Sequence, residues 1–295
     1  MPVVSDAGST VPRRQLGRRL RQLREDARIT VKAAADALEW STPKLWRIEG
    51  GMVSMRSLDV EAMCRVYGAT EAVTASLMAL AKDTRARGWW QAYSDAIPGW
   101  FELYIGLEAA ASRLRTYQPE LVPELLQSEA YATETVRVAH PELSDDEVAR
   151  AVAVRLSRQA LLGRRAPAPP RLDVVLNEPA LRRPLRDPAA MAEQLRLINT
   201  VGERRNVSVL VLPLDAGLHP GALAGGPFTL LEFPDRDGQE TEPPTVYREA
   251  LTGASYLDKP AEVEVHAAVW SAVRDAALDR AASRDLIAEL AKEYD

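Results

Sequence analysis

The chain has one cysteine, Cys64, so no internal disulfide can staple it, and a reducing compartment suits it. Cys64 sits in an apolar helical pattern and is read as a packing residue. Histidine is scarce as well. His140, His219 and His266 are widely separated, lack metal-ligand spacing and have no cysteine partner, so no metal site is expected. No run approaches the roughly 20 apolar residues that span a bilayer. The N-terminal MPVVSDAGSTVPRR lacks a signal-type apolar core. The expected location is therefore the cytoplasm, with no membrane partner. Catalytic signatures are missing too: there is no G-x-S-x-G, no H-E-x-x-H and no credible Cys/His pair. Carboxylates such as Asp173, Glu178, Glu232 and Asp235 are plentiful, but nothing in the sequence brings two of them together. The expectation is a protein that is not an enzyme and needs no cofactor. The glycine-rich DAGLHPGALAGG (215–226) lacks the GK[ST] ending of a phosphate cradle and is expected to be a mobile loop. There is no internal repeat.

What the chain does have is an uneven charge distribution. Net charge is −5 over 295 residues. Residues 11–68 hold twelve Lys/Arg against seven Asp/Glu, a local +5 that leaves −10 for the remainder. A basic module on an acidic body fits a nucleic-acid reader joined to a sensing or partner-binding domain. At 46% apolar, the chain can bury a sizeable core, and its length suits two domains.

The most informative stretch is TVKAAADALEWSTPKLWRIEG, residues 30–50. Thr30 stands at an N-cap, and Val31, Ala34, Ala35 and Leu38 share one helical face. Ser41 offers a second N-cap, with Pro43 early in the next helix, where its missing N–H costs nothing. Leu45 and Ile48 continue the buried face, and Gly50-Gly51 stop the helix. Two short helices with a tight turn form the helix-turn-helix layout, whose second helix enters the DNA major groove. Its outward residues are Thr42, Lys44, Trp46 and Arg47. Arg47 is the candidate for bidentate contact to guanine, or it pairs with an acidic neighbour. Thr42 suits a base edge or thymine methyl, and Lys44 suits phosphate.

This stretch resembles the lambda-repressor-like (XRE-type) domain, whose second helix commonly reads S-x-x-K-x-x-R-I-E-x-G. Ser41, Lys44, Arg47, Ile48, Glu49 and Gly51 stand at those positions. Downstream, RGWWQAY (87–93), GLEAAASRLRTYQPELVPELLQ (106–127), LNEPALRRP (176–184) and GPFTLLEFP (226–234) resemble the actinobacterial WhiJ-like, antitoxin-like subgroup. The resemblance covers roughly residues 13–290. It implies an operator-binding homodimer and a small protein partner encoded nearby. Two positions depart from the pattern. Val31 replaces a phosphate-bonding Gln, and Trp46 occupies a site usually small or polar.

Around this motif, residues 1–12 are expected to be a disordered tail. Residues 13–27 form an Arg-rich helix with Leu16, Leu20 and Leu23 inward and Arg18 among the cations facing phosphate. Ser57 is expected to cap a helix at 58–67 with Leu58, Met63 and Val66 inward, ended by Gly68. Thr70 opens another at 71–86, built on Val73, Leu77 and Leu80. These make a five-helix DNA-binding domain over 13–86. Residues 87–105 form an aromatic connector holding Trp89, Trp90, Tyr93, Trp100, Phe101 and Tyr104, which serves as a hinge, a dimer contact or a small-molecule pocket. Residues 106–295 are expected to form an α+β domain with a small, mostly antiparallel sheet. Its strands are near 107–119, 171–177, 207–213, 226–234, 245–250 and 254–257. Its helices are at 128–139, 144–163, 188–204, 260–280 and 283–293, with a turn at 178–183. Asn177, Glu178, Arg182 and Arg183 follow a strand end, as either a ligand or partner site or ordinary capping and surface charge.

These readings converge on a dimeric, sequence-specific transcriptional regulator that contacts double-stranded DNA through Ser41, Thr42, Lys44, Trp46, Arg47 and Arg18. Signal enters through the C-terminal domain from a protein partner or small effector. The alternatives are an antitoxin-like protein that masks a partner, and a DNA-binding domain fused to an enzyme.

Overall fold

The computed structural model describes residues 9–86, 88–93, 97–236, 239–240, 242–251 and 253–294. The tail expected over 1–12 falls largely outside them, and the described part begins the first helix at once. Contacts divide the chain into two compact units. One runs through Ala92 and includes Ile105–Ala110 and Asp235–Glu242. The other holds Tyr93–Tyr104, Ala111–Pro234 and Pro243–Asp295.

The first unit contains the five expected helices: α1 (Thr10–Asp26), α2 (Val31–Ala37), α3 (Thr42–Glu49), α4 (Ser57–Tyr67) and α5 (Glu71–Asp83). Their starts follow from local chemistry. The hydroxyls of Thr30, Ser41 and Thr70 accept from the N–H of Ala33, Lys44 and Val73, which satisfies donors that the helix itself leaves open. Gly68 ends α4 at φ 72, a left-handed conformation that is easy for glycine. Leu16, Leu20, Ala34, Leu45, Ile48, Val60, Met63 and Cys64 form one buried core. Three expectations fail here. Ser57 does not cap α4 but sits inside it and donates to the Met78 carbonyl, 3.2 Å away. Leu58 is 72% exposed, with Val60 taking the inward position, and Val73 in the first turn of α5 is 38% exposed although Leu77 one turn on is buried.

Helix α6 (Gly99–Ala110) has its first half in the second unit and its second half in the first, and it replaces the extended chain expected at 107–110; from Ala111 to Pro234 the chain runs in the second unit. There β1 (Arg113–Gln118), α7 (Glu129–Ala139), α8 (Asp145–Gln159), β2 (Arg171–Asn177), α9 (Glu178–Arg182), α10 (Pro188–Gly202), β3 (Val207–Leu212), α11 (Pro220–Leu223) and β4 (Phe228–Glu232) follow. A small pair, β5 (Asp235–Arg236) and β6 (Gln239–Glu240), precedes β7 (Thr245–Ala250), β8 (Gly253–Leu257), α12 (Pro260–Ala276) and α13 (Arg280–Glu293). The six-stranded sheet runs β3-β2-β1-β4-β7-β8. The antiparallel pairing expected covers β1-β4-β7-β8, whereas β1, β2 and β3 pair in parallel. Parallel neighbours need helical crossovers, and α7–α8 and α10 supply them. Tyr117, Val175, Phe228, Leu230 and Val246 pack against Trp270 and Val273 of α12. Ser144 and Glu147 form the expected capping box at α8. Among the described residues, no helix is long and apolar enough to cross a membrane.

The glycine-rich segment 215–226 departs from the mobile loop expected of it. It contains the one-turn helix α11, and Gly221 lies so close to Tyr117 and Val273 that a β-carbon there would meet both below 3 Å. The histidines lie on separate elements. His140 ends α7 beside Glu142, His219 stacks edge-on against Tyr117, and His266 of α12 meets Phe228.

Candidate nucleic-acid interface

The geometry of α3 is set from beneath. Leu45 and Ile48 are buried, and between them the helix turns Thr42, Trp46 and Arg47 to solvent. Trp46 is 61% exposed, an unusual state for the largest side chain on a helix this short. Arg47 is exposed and has no ion-pair partner among the described residues, so the pairing with an acidic neighbour is not formed. Lys44 is half-buried, and its Nζ lies 3.6 Å from the Trp40 ring centroid. This cation–π contact ties it to the turn between α2 and α3. The Ser41 hydroxyl is exposed while accepting the Lys44 N–H at 3.3 Å, which leaves its own proton outward.

Two further features hold α3, and neither was anticipated. The first is a buried ion pair at its end. Glu49 receives Arg24 Nε and Nη2, each at 2.8 Å, as a two-bond fork, while Arg24 Nη1 donates to the Ile29 carbonyl at 2.9 Å. Both residues are under 10% exposed. The Glu49 hydrogen bond raises the Arg24 pKa against the opposing effect of burial. Burial first, and Glu49's charge second, also push the Tyr67 phenol up, and its hydroxyl donates to Glu49 at 3.4 Å. The signal was present in the spacing: Leu16, Leu20 and Arg24 recur every four residues on the inward face of α1. The second feature is a close approach of backbones. A β-carbon on Gly17 would stand 2.7 Å from the carbonyls of Ile48 and Glu49, so only glycine lets α1 and α3 meet here.

Of the sequence candidates, α3 brings together Ser41, Thr42, Lys44, Trp46 and Arg47. Arg18 of α1 is placed differently. Its guanidinium donates to both Glu242 oxygens, at 2.9 and 2.7 Å, and Arg14 Nε joins at 2.5 Å. The Glu242 carboxylate is fully buried in this contact. Trp89 and Trp90 meet edge to face at 6.1 Å in the first unit, while in the second Phe101 and Tyr104 stack at 5.5 Å beneath Arg158. The Trp100 side chain lies outside the described residues. Glu178, Arg182 and Arg183 are engaged in structure, whereas Asn177 Oδ1 is buried without a hydrogen-bond partner among the described residues. Glu178 accepts Arg182 at 2.6 Å and the Leu214 N–H at 2.9 Å, and Arg183 pairs with Glu120.

Residues 101–289 match the family described as Domain of unknown function (DUF5753). The chain belongs to the DUF5753 family. Residues 15–77 of this DUF5753 protein match the family described as Helix-turn-helix domain. That match spans α2, α3 and α4 with most of α1 and the first half of α5, so this basic N-terminal stretch is a helix-turn-helix DNA-binding domain. No curated protein and no solved structure matches the chain.

Proposed function

We propose that this protein is a sequence-specific transcriptional regulator of the XRE type. It reads its operator through Thr42, Trp46 and Arg47 and grips phosphate near Ser41 and Lys44. One observation carries the reading: α3 is held by Arg24–Glu49 and by the close approach at Gly17, yet presents an arginine without an ion-pair partner among the described residues beside an exposed tryptophan. A free guanidinium on a fixed helix suits the paired acceptors of guanine in the major groove. Trp46 suits sugar and thymine methyl contact. Dimerisation belongs to the same proposal, since one eight-residue recognition helix offers too little affinity alone. Leu214, Leu218 and Leu223 are each more than 60% exposed within ten residues, which favours a protein-covered surface in the second unit.

A second reading, an antitoxin-like protein of the WhiJ-like subgroup that masks a small partner, rests on the same exposed leucines. Both readings treat the chain as a non-enzyme acting in the cytoplasm, with an effector or partner entering through the DUF5753 domain. Selection of bound sites from a random duplex pool, run in parallel with Arg47→Ala, tests the first reading. A paired motif that the mutant loses supports it. Salt-sensitive binding without a motif, unchanged in the mutant, discards the Arg47 assignment and favours the masking role.

A further inference from the structure

The second unit holds a concentration of arginine that the DNA-binding reading does not use. Arg113 and Arg171 open the parallel strands β1 and β2 and are register partners. Alternation along the strands places them on the face that α12 covers, with Asp173 two residues beyond Arg171 and Ser208 of β3 paired to Asp173. Trp270 and Arg274 of α12 close over them, leaving a cavity of about 100 Å³ lined by Arg113, Arg171, Arg274, Asp173, Ser208 and Trp270 among others.

The electrostatics of this cavity are incomplete as it stands. Three guanidiniums face one lining carboxylate. Asp173 is 4% exposed and accepts Arg113 Nε at 2.7 Å and Arg171 Nε at 3.0 Å. That leaves both Nη groups of Arg171 without a hydrogen-bond acceptor among the described residues, while Arg113 Nη1 approaches only Glu232, at 3.9 Å. Arg274 spends Nε and Nη2 on Asp275, at 2.9 and 2.6 Å, and keeps Nη1. Trp270 is 3% exposed, yet its indole N–H has no acceptor among the described residues. Arg115, whose guanidinium lies 5.4 Å from the Trp270 ring, has a buried Nε in the same condition. Only the Trp270 indole N–H and Arg115 Nε are buried donors, and buried donors are almost always paired; the spare Nη groups of Arg113, Arg171 and Arg274 are partly exposed and converge on the same cavity, so together they favour an acceptor-rich occupant.

We propose that this cavity binds a phosphate group, held by the spare Nη donors of Arg113, Arg171 and Arg274, the Ser208 hydroxyl and the Trp270 indole N–H. The volume is about that of three waters, which suits one tetrahedral oxyanion and excludes a bulky organic ligand. Arginine is the side chain fitted to phosphate because its planar fork donates two parallel charge-assisted bonds. Asp173 does not oppose this, since it orients Arg113 and Arg171 through Nε and leaves their outer nitrogens to the anion. The phosphate is either the free ion or the exposed end of a phosphomonoester. The inference stands apart from the DNA reading, because anion binding is measured without DNA.

The test is calorimetric titration of the full chain with inorganic phosphate and with a nucleoside 5′-monophosphate, at constant ionic strength set by chloride. Arg171→Gln is the companion variant; its side chain is 63% exposed, so the fold tolerates the change. Saturable 1:1 phosphate binding that weakens about tenfold or more in Arg171→Gln is expected, since bonds to charged groups carry that weight. Tighter binding of the monophosphate identifies a phosphomonoester as the ligand, and equal or weaker binding identifies the free ion. The absence of saturable binding to either probe overturns the proposal, as does binding that Arg171→Gln leaves unchanged.

Discussion

Helices α1 and α3 lie against each other in one core and use their cations in opposite ways. Helix α1 carries six arginines, several of which are committed within the protein: Arg24 to Glu49, Arg14 and Arg18 to Glu242, Arg21 to Glu25. Helix α3 carries one arginine, and that one is free of ion pairs among the described residues. Charge count would rank α1 as the stronger nucleic-acid element, and geometry reverses the ranking. A guanidinium already forked onto a carboxylate has spent the donors that a phosphate or base would use.

The largest effect expected from testing this contrast is at its structural end. Glu49→Ala strands a buried Arg24 charge and should cost about 3–5 kcal/mol in chemical denaturation of the helical unit. Replacing both partners by packed apolar residues, Arg24→Met with Glu49→Leu, should recover most of that loss. Full loss in the double variant would mean that the pair does more than orient α3. Next comes Gly17→Ala, which forces α1 and α3 apart and should cost about 1–3 kcal/mol, with a parallel loss of operator affinity.

Arg47→Ala sharpens the contrast from the functional side. It should cost about 1–3 kcal/mol of base discrimination, yet shift stability by less than about 0.5 kcal/mol, because the side chain is exposed and forms no ion pair among the described residues. A clear drop in melting temperature would contradict that placement. Glu242→Gln attacks the α1 side. If the carboxylate is what withholds Arg14 and Arg18, the variant should bind DNA with a steeper salt dependence, by up to about two phosphate contacts. An unchanged slope would mean that these arginines do not face the duplex.

The smallest effect lies in the second unit, where cations are again committed. Burial by itself would raise the Glu124 carboxyl, but Arg158 and Arg155 outweigh it and hold the pKa below the usual carboxylate range. A carboxylate depressed in the folded state contributes stability above its ordinary pKa and loses it as pH falls through the depressed value. Acid titration of stability should therefore be shallower in Glu124→Gln than in the parent, with the difference confined to pH below about 4.3.

Much of the helical unit was legible because its determinants are local. Caps at Thr30, Ser41 and Thr70, the stop at Gly68 and the apolar spacing around Leu45 and Ile48 each act within one turn of helix. The sheet was only half legible. Strand periodicity marks where β1, β2 and β3 run, but direction depends on which strands become neighbours across the α7–α8 and α10 crossovers. Leu58 misled for a similar reason. Leu58 and Val60 stand two residues apart on opposite faces of α4, so only one of them can face the core, and only the neighbouring helices decide that Val60 is taken and Leu58 is left out.

For α3, the sequence alone determined the motif, its register and the exposure of Thr42, Trp46 and Arg47, because a capped eight-residue helix leaves little freedom in which side chains share a face, whereas Lys44, expected outward, is half-buried over Trp40. Tertiary structure decided which cations remain available. Whether a guanidinium is free depends on the carboxylate it meets, and Arg24 meets Glu49 across 25 residues while Arg18 meets Glu242 across 224. No local pattern carries that information, since a through-space pair belongs to the packing and not to either stretch of chain.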